Sequence, residues 1–88
     1  MVIKVYALDR GCSRQVFRVL DEAIQQAGAD VVVEKIEDPQ SLARARVMAP
    51  PVIEISGKTV VRGRTPKVAE VVEWIMEALV QEDQEIAR

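Results

Sequence analysis

The spacing of hydrophobic positions divides the first half of the chain into a strand, a helix and a second strand. Residues 2–8 are rich in β-branched and aromatic side chains and form a run short enough for a strand. From about residue 13 to 27 the hydrophobic positions recur at helical spacing, and Gly28 follows as a natural stop. The second strand begins at Asp30, and its three consecutive valines are typical of a strand covered on both faces. The pattern predicts a right-handed βαβ unit.

The middle of the chain carries the signals of a short helix and a hairpin. Asp38 followed by Pro39 predicts an N-cap and a first helical residue. The segments "VIEI" and "KTVVRG" then alternate as strands do, and only Ser56 and Gly57 separate them. Two residues of this kind predict a tight hairpin turn.

A second long helix closes the chain. Thr65 and Pro66 predict its N-cap and first turn, and a hydrophobic stripe continues to about Val80. Residues 81–88 lose that stripe, so a frayed and solvated end is expected there. The order β-α-β-α-β-β-α predicts one α/β domain over residues 1–88, since a chain of this length does not divide into two cores.

Composition narrows the classes of function. The net charge is −2 and aromatic residues make up 3%, which disfavours nucleic acid and anionic lipid as partners. The apolar N-terminus contains a lysine and no small-residue cleavage site, so it is interpreted as a strand rather than a signal peptide. One cysteine and no histidine argue against a metal site and fit a reducing cytoplasm, which is the expected location.

The single cysteine, Cys12, is the candidate reactive residue. It lies where the first strand gives way to the first helix, as the predicted N-cap or first helical residue, and a helix start lowers the pKa of a thiol. Arg10 and Arg14 would favour the thiolate further, and Gly11 would leave room for an approaching disulfide. The alternative is a small residue retained at a helix start. No histidine accompanies Ser13, so a hydrolase has no support.

Several segments together resemble the thioredoxin superfamily, and more narrowly its small thioredoxin-like and glutaredoxin-like redox-active disulfide proteins. They are "GC" before the first helix, "EKIEDPQSL", "VMAPPVIEISGKTVVRG" and "GRTP", and the resemblance covers residues 3–75. It implies a thioredoxin-like fold, with a four-stranded mixed sheet of order 2-1-3-4 flanked by helices on both faces. It also implies a cis peptide bond before Pro51 and a loop that faces Cys12.

The chain departs from the family pattern at three places. Gln15 stands where the second cysteine of Cys-x-x-Cys would be, Pro50 replaces a threonine, and Arg46 replaces a frequent glycine. A dithiol mechanism needs one sulfur to attack and a second to release the mixed disulfide. Ordinary thioredoxin activity is therefore not expected from this chain alone.

Two functions remain open, and whether the protein is an enzyme depends on which applies. In the first, Cys12 exchanges disulfides as a monothiol and glutathione or another external thiol resolves the adduct, with no other cofactor. Gly11, Arg10, Arg14, Pro50 and Pro51 would then bind the substrate, and the monomer would form a Cys12-linked dimer on oxidation. In the second, the fold is a redox-inactive protein-interaction module, with Cys12, Ala49 and Pro50 at its contact surface. Six arginines would either collect near Cys12 and bind an anion or form a solvated face: Arg10, Arg14, Arg44, Arg46, Arg62 and Arg64.

Overall fold

A computed structural model of the chain describes residues 1–8 and 10–86, with the side chains of Arg10, Cys12 and residues 83–86 outside that description. Strands and helices follow one another in the predicted order. They are β1 (Val2–Tyr6), α1 (Arg10–Ala27), β2 (Val32–Ile36), α2 (Pro39–Arg44), β3 (Val52–Ile55), β4 (Lys58–Arg62) and α3 (Val68–Ile86). None of the helices in the described ranges is long and apolar enough to cross a membrane.

The strands form a mixed sheet of order β2-β1-β3-β4, as the resemblance implies. The internal strand β1 pairs in parallel with β2 and antiparallel with β3, and β3 pairs antiparallel with β4. Tyr6, the last residue of β1, lies between Ile36 of β2 and Val52 of β3. The ends of β1 and β2 and the beginning of β3 therefore meet at one end of the sheet.

Each face of the sheet has its own hydrophobic cluster, because successive strand residues point to opposite faces. One cluster joins α1 and α3 to the sheet, and Ile3, Leu20, Ile53 and Ile75 are completely buried in it. At roughly 1.5–3 kcal/mol for each fully buried aliphatic side chain, this is the main stabilising core. The second cluster is smaller, consists of Tyr6, Leu42 and Val52, and lies under α2.

The expectation that β2 is covered on both faces is wrong. The strand lies at the edge of the sheet, and Val32 is 61% exposed. Its neighbour Val2 is exposed on the same face. The reason is that α2 is short, and its cluster includes Ile36 at the far end of β2 but not Val32.

Local signals in the middle of the chain agree with the structure. The Asp38 carboxylate accepts a hydrogen bond of 2.9 Å from the backbone N–H of Ser41, which caps α2 and lowers the pKa of Asp38. Ser56 and Gly57 have φ values of 51° and 82°, the positive pair of a type I′ hairpin turn.

The start of α3 differs from the prediction. The helix begins at Val68, and its N-cap is Lys67, whose carbonyl accepts the N–H of Val71 at 3.2 Å. The Lys67 N–H in turn donates to the Glu70 carboxylate at 3.1 Å, which is half of a capping box. Thr65 and Pro66 therefore precede the helix, and Thr65 is not its cap.

The far end of α3 also differs. The helix continues to Ile86, past the end near Val80 that the lost stripe predicts, and residues 87–88 lie outside the described range. Glutamine and glutamate favour helix without any hydrophobic stripe, so the polar segment continues the last turns. The Ser56 hydroxyl also donates to the Glu82 carboxylate at 3.0 Å and ties this segment to the hairpin turn.

Candidate functional site

Cys12 is the third residue of α1 rather than its N-cap or first residue, because the helix begins at Arg10. Hydrophobic spacing could not find this first turn, since Arg10, Gly11 and Cys12 precede the apolar stripe. The backbone N–H groups of a first turn have no partner within the helix, and the helix dipole acts over that turn. Cys12 therefore lies in the turn over which the helix dipole acts, while its side chain and that of Arg10 lie outside the described part.

The loop at residues 45–51 ends beside the same end of the sheet. Val52 pairs with Tyr6, so Pro51 lies one residue beyond the last rung of the β1–β3 ladder, at the end from which α1 departs. Pro51 is buried and its carbonyl accepts the N–H of Gly63 at 2.8 Å. The Pro50–Pro51 peptide bond is cis, the geometry that the resemblance implies. Direct contact between Pro51 and Cys12 stays a prediction.

Gln15 and Ser13 occupy opposite environments on α1. Gln15 is exposed and follows Cys12 by three residues, so the two lie on the same helix face. Ser13 is only 5% exposed, and its hydroxyl has no hydrogen-bond partner among the residues the structure describes. Nothing in the sequence indicates this burial, because serine is common on the polar face of a first turn.

Among the six candidate arginines, those whose side chains the structure describes do not line one common groove. Arg14 lines a small groove of about 220 Å³ with Ser13 and Phe17, where Lys35 and Glu37 complete the lining. The Lys35 ammonium lies 4.4 Å from the centre of the Phe17 ring, a cation–π contact. Arg44 lies in the last turn of α2, and Arg46, Arg62 and Arg64 lie elsewhere.

Arg64 forms a two-pronged ion pair with Glu70 at the start of α3. Its guanidinium nitrogens donate to the two carboxylate oxygens at 2.9 and 2.7 Å. These bonds, together with the Lys67 N–H, lower the pKa of Glu70 to about 2. Arg64 thus links the β4–α3 connection to the first turn of α3.

Arg46 and Arg62 line a larger groove on the α2 side of the sheet, with a volume of about 360 Å³. Met48 and Ala49, which directly precede Pro50, also line this groove, and Met48 is 92% exposed. The remaining lining residues are Tyr6, Ala45, Val47, Val52, Glu54 and Thr59. Sequence reasoning noted Arg46 as a departure from the family, but it did not find the groove.

The element order, the mixed four-stranded sheet and the helices packed on it define a thioredoxin-like α/β fold. Residues 1–76 match the family model of a thioredoxin domain, and the chain belongs to the thioredoxin family. The match extends from β1 into α3 and includes both Cys12 and the Pro50–Pro51 loop. No curated protein matches the chain.

Proposed function

We propose that the protein carries out monothiol thiol–disulfide exchange through Cys12, in a reducing cytoplasm. One observation carries the proposal: Cys12 lies in the first turn of α1, at the sheet end where Pro51 precedes β3. Membership of the thioredoxin family supports it. The dipole of α1 favours a thiolate over a thiol at this position.

The exchange requires one sulfur from this chain and one from outside. The Cys12 thiolate attacks one sulfur of a substrate disulfide, a new S–S bond forms, and the old one breaks. The electron pair leaves with the second substrate sulfur, which takes a proton from water. An external thiolate, such as that of glutathione, then attacks the mixed disulfide, takes the bound group and releases the Cys12 thiolate.

Because residue 15 is glutamine, the second thiol of the exchange has to come from another molecule. It lies on the Cys12 face of α1 and has no sulfur with which to release the intermediate. The chain has no second cysteine, so a protein monomer that is oxidised without glutathione forms a Cys12–Cys12 dimer. Gly11 gives access to the sulfur, Arg10 and Arg14 favour its thiolate, and Pro50 and Pro51 contact the substrate backbone.

The test is incubation of the reduced protein with oxidised glutathione, followed by mass spectrometry of the intact chain. The expected product is one glutathione adduct per chain, which reduced glutathione removes. Cys12→Ser is the negative control, and Gln15→Ser is the matched variant that should still form the adduct. Absence of an adduct on the folded protein would contradict the proposal.

A second candidate is a redox-inactive interaction module that uses Cys12, Ala49 and Pro50 as its contact surface. The observation in its favour is the exposure of Met48 and Ala49 next to that loop. A Cys12 thiol that reacts with disulfides no faster than a thiol in an unfolded chain would favour this second function.

A further inference from the structure

Arg46 has a backbone conformation that favours glycine. It follows the C-cap residue Ala45 with a φ of 56°. Its N–H donates to the Ala43 carbonyl at 3.1 Å, and the next N–H, of Val47, donates to the Leu42 carbonyl at 3.0 Å. These two bonds form a Schellman motif, whose left-handed residue is usually glycine because a Cβ is disfavoured there.

The side chain of Arg46 lines the 360 Å³ groove, and the sheet explains what it meets there. Val52 pairs with Tyr6 on one side and with Arg62 on the other, so these three residues form one row on the α2 face of the sheet. Tyr6 is 7% exposed and Val52 is buried, and they form an apolar floor. A groove of this size suits a small molecule.

The charges in the groove are two guanidinium groups and one carboxylate, that of Glu54. Among the side chains that the structure describes, Arg64 and Glu70 form the ion pair, and neither Arg46 nor Arg62 has a carboxylate partner there. The lining therefore carries one net positive charge. A guanidinium group matches the geometry of a carboxylate with two parallel hydrogen bonds, and Thr59 adds a hydroxyl donor.

We infer that this groove binds a small organic monocarboxylate with an apolar body. The carboxylate lies between Arg46 and Arg62, and the body packs on the floor of Tyr6, Val47 and Val52. Glu54 disfavours dianions, because a second negative charge in the groove would face its carboxylate. The site lies on the face of the sheet opposite α1. Carboxylate binding there can therefore be tested separately from the reactivity of Cys12.

The test is a titration of the isotope-labelled protein with benzoate, followed through the amide signals in two-dimensional NMR. Saturable shifts are expected at residues that line the groove, including Val47, Val52 and Thr59. Benzamide, which has the same shape and no charge, should leave these signals unchanged. Inorganic phosphate, which has charge and no apolar body, should also leave them unchanged.

Variants test the two arginines. Arg46→Gly introduces the residue that the backbone conformation favours, so this variant should fold. Its affinity for benzoate should nevertheless decrease about tenfold or more, which is the effect of losing a charge-assisted hydrogen bond. Arg62→Gln should weaken binding to a similar extent. Arg18→Gln on the exposed face of α1 should bind as the parent does. Unchanged affinity in folded Arg46→Gly, equal shifts with benzamide or phosphate, or shifts outside the groove would overturn the inference.

Discussion

Replacing Arg46 by glycine should stabilise the protein, although it removes a side chain. Arg46 is the left-handed residue of the Schellman motif that ends α2, with a φ of 56°. The two hydrogen bonds of that motif are made by backbone groups and remain in the variant. The substitution therefore changes the backbone strain of residue 46 and the conformational entropy of the unfolded chain.

The magnitude follows from these two opposing effects. A residue with a Cβ loses roughly 1–2 kcal/mol in the left-handed conformation, and glycine escapes this cost. Glycine makes the unfolded chain more flexible, which offsets roughly 0.4–1 kcal/mol of that gain. The two ranges differ by roughly 0–1.6 kcal/mol, and their midpoints predict a rise of about 0.8 kcal/mol in the free energy of unfolding, which raises the Tm by about 3–6 °C in a domain of this size.

The assay is urea unfolding of the parent, Arg46→Gly and Arg46→Ala, followed by far-ultraviolet circular dichroism. The alanine variant keeps the Cβ, so it should be no more stable than the parent. Ala45→Gly is the positional control: residue 45 has a φ of −79°, and glycine there should destabilise the protein by about 0.5–1 kcal/mol. Equal stabilities of the glycine and alanine variants at residue 46 would refute the strain argument.

Two further predictions concern the ion pair at α3 and the missing second cysteine. The pKa of Glu70 is lowered from 4.5 to about 2, so its stabilising contribution is complete above pH 4.5 and is lost as the pH falls towards 2. Unfolding free energies measured from pH 5 to pH 2 should fall more steeply for the parent than for Glu70→Gln; identical slopes would contradict this. Gln15→Cys should confer dithiol reduction of insulin, because residue 15 shares a helix face with Cys12. The double variant that also carries Cys12→Ser should be inactive. If Gln15→Cys alone gains no activity, the proposed site geometry is wrong.

Signals that involve neighbouring residues were sufficient to predict much of the fold. Asp38 with Pro39, and Ser56 with Gly57, identify a cap and a turn through bonds or dihedrals within a few residues. The element order followed from hydrophobic spacing. The strand order came from the resemblance, because local spacing does not determine which strands become neighbours.

Features that depend on distant residues could not be predicted. The exposure of Val32 depends on how far α2 extends across the sheet, and the run of three valines does not indicate that extent. The groove at Arg46 likewise needs α2, β3 and β4 to assemble. The start of α3 was missed for another reason: its N-cap, Lys67, is not a usual capping residue, and the bond that marks it joins its N–H to the Glu70 carboxylate three residues on.

The most direct test of the proposed function is the rate at which Cys12 reacts with a small disulfide as a function of pH. Because the chain has one cysteine, the signal belongs to Cys12 alone, and the same protein unfolded in urea supplies the reference thiol. The first turn of α1 should shift the midpoint of the folded protein's rate profile to a lower pH than that of the unfolded chain, whose thiol has a pKa of about 8.5. A folded-state midpoint equal to or higher than the unfolded one would contradict an activated monothiol at Cys12.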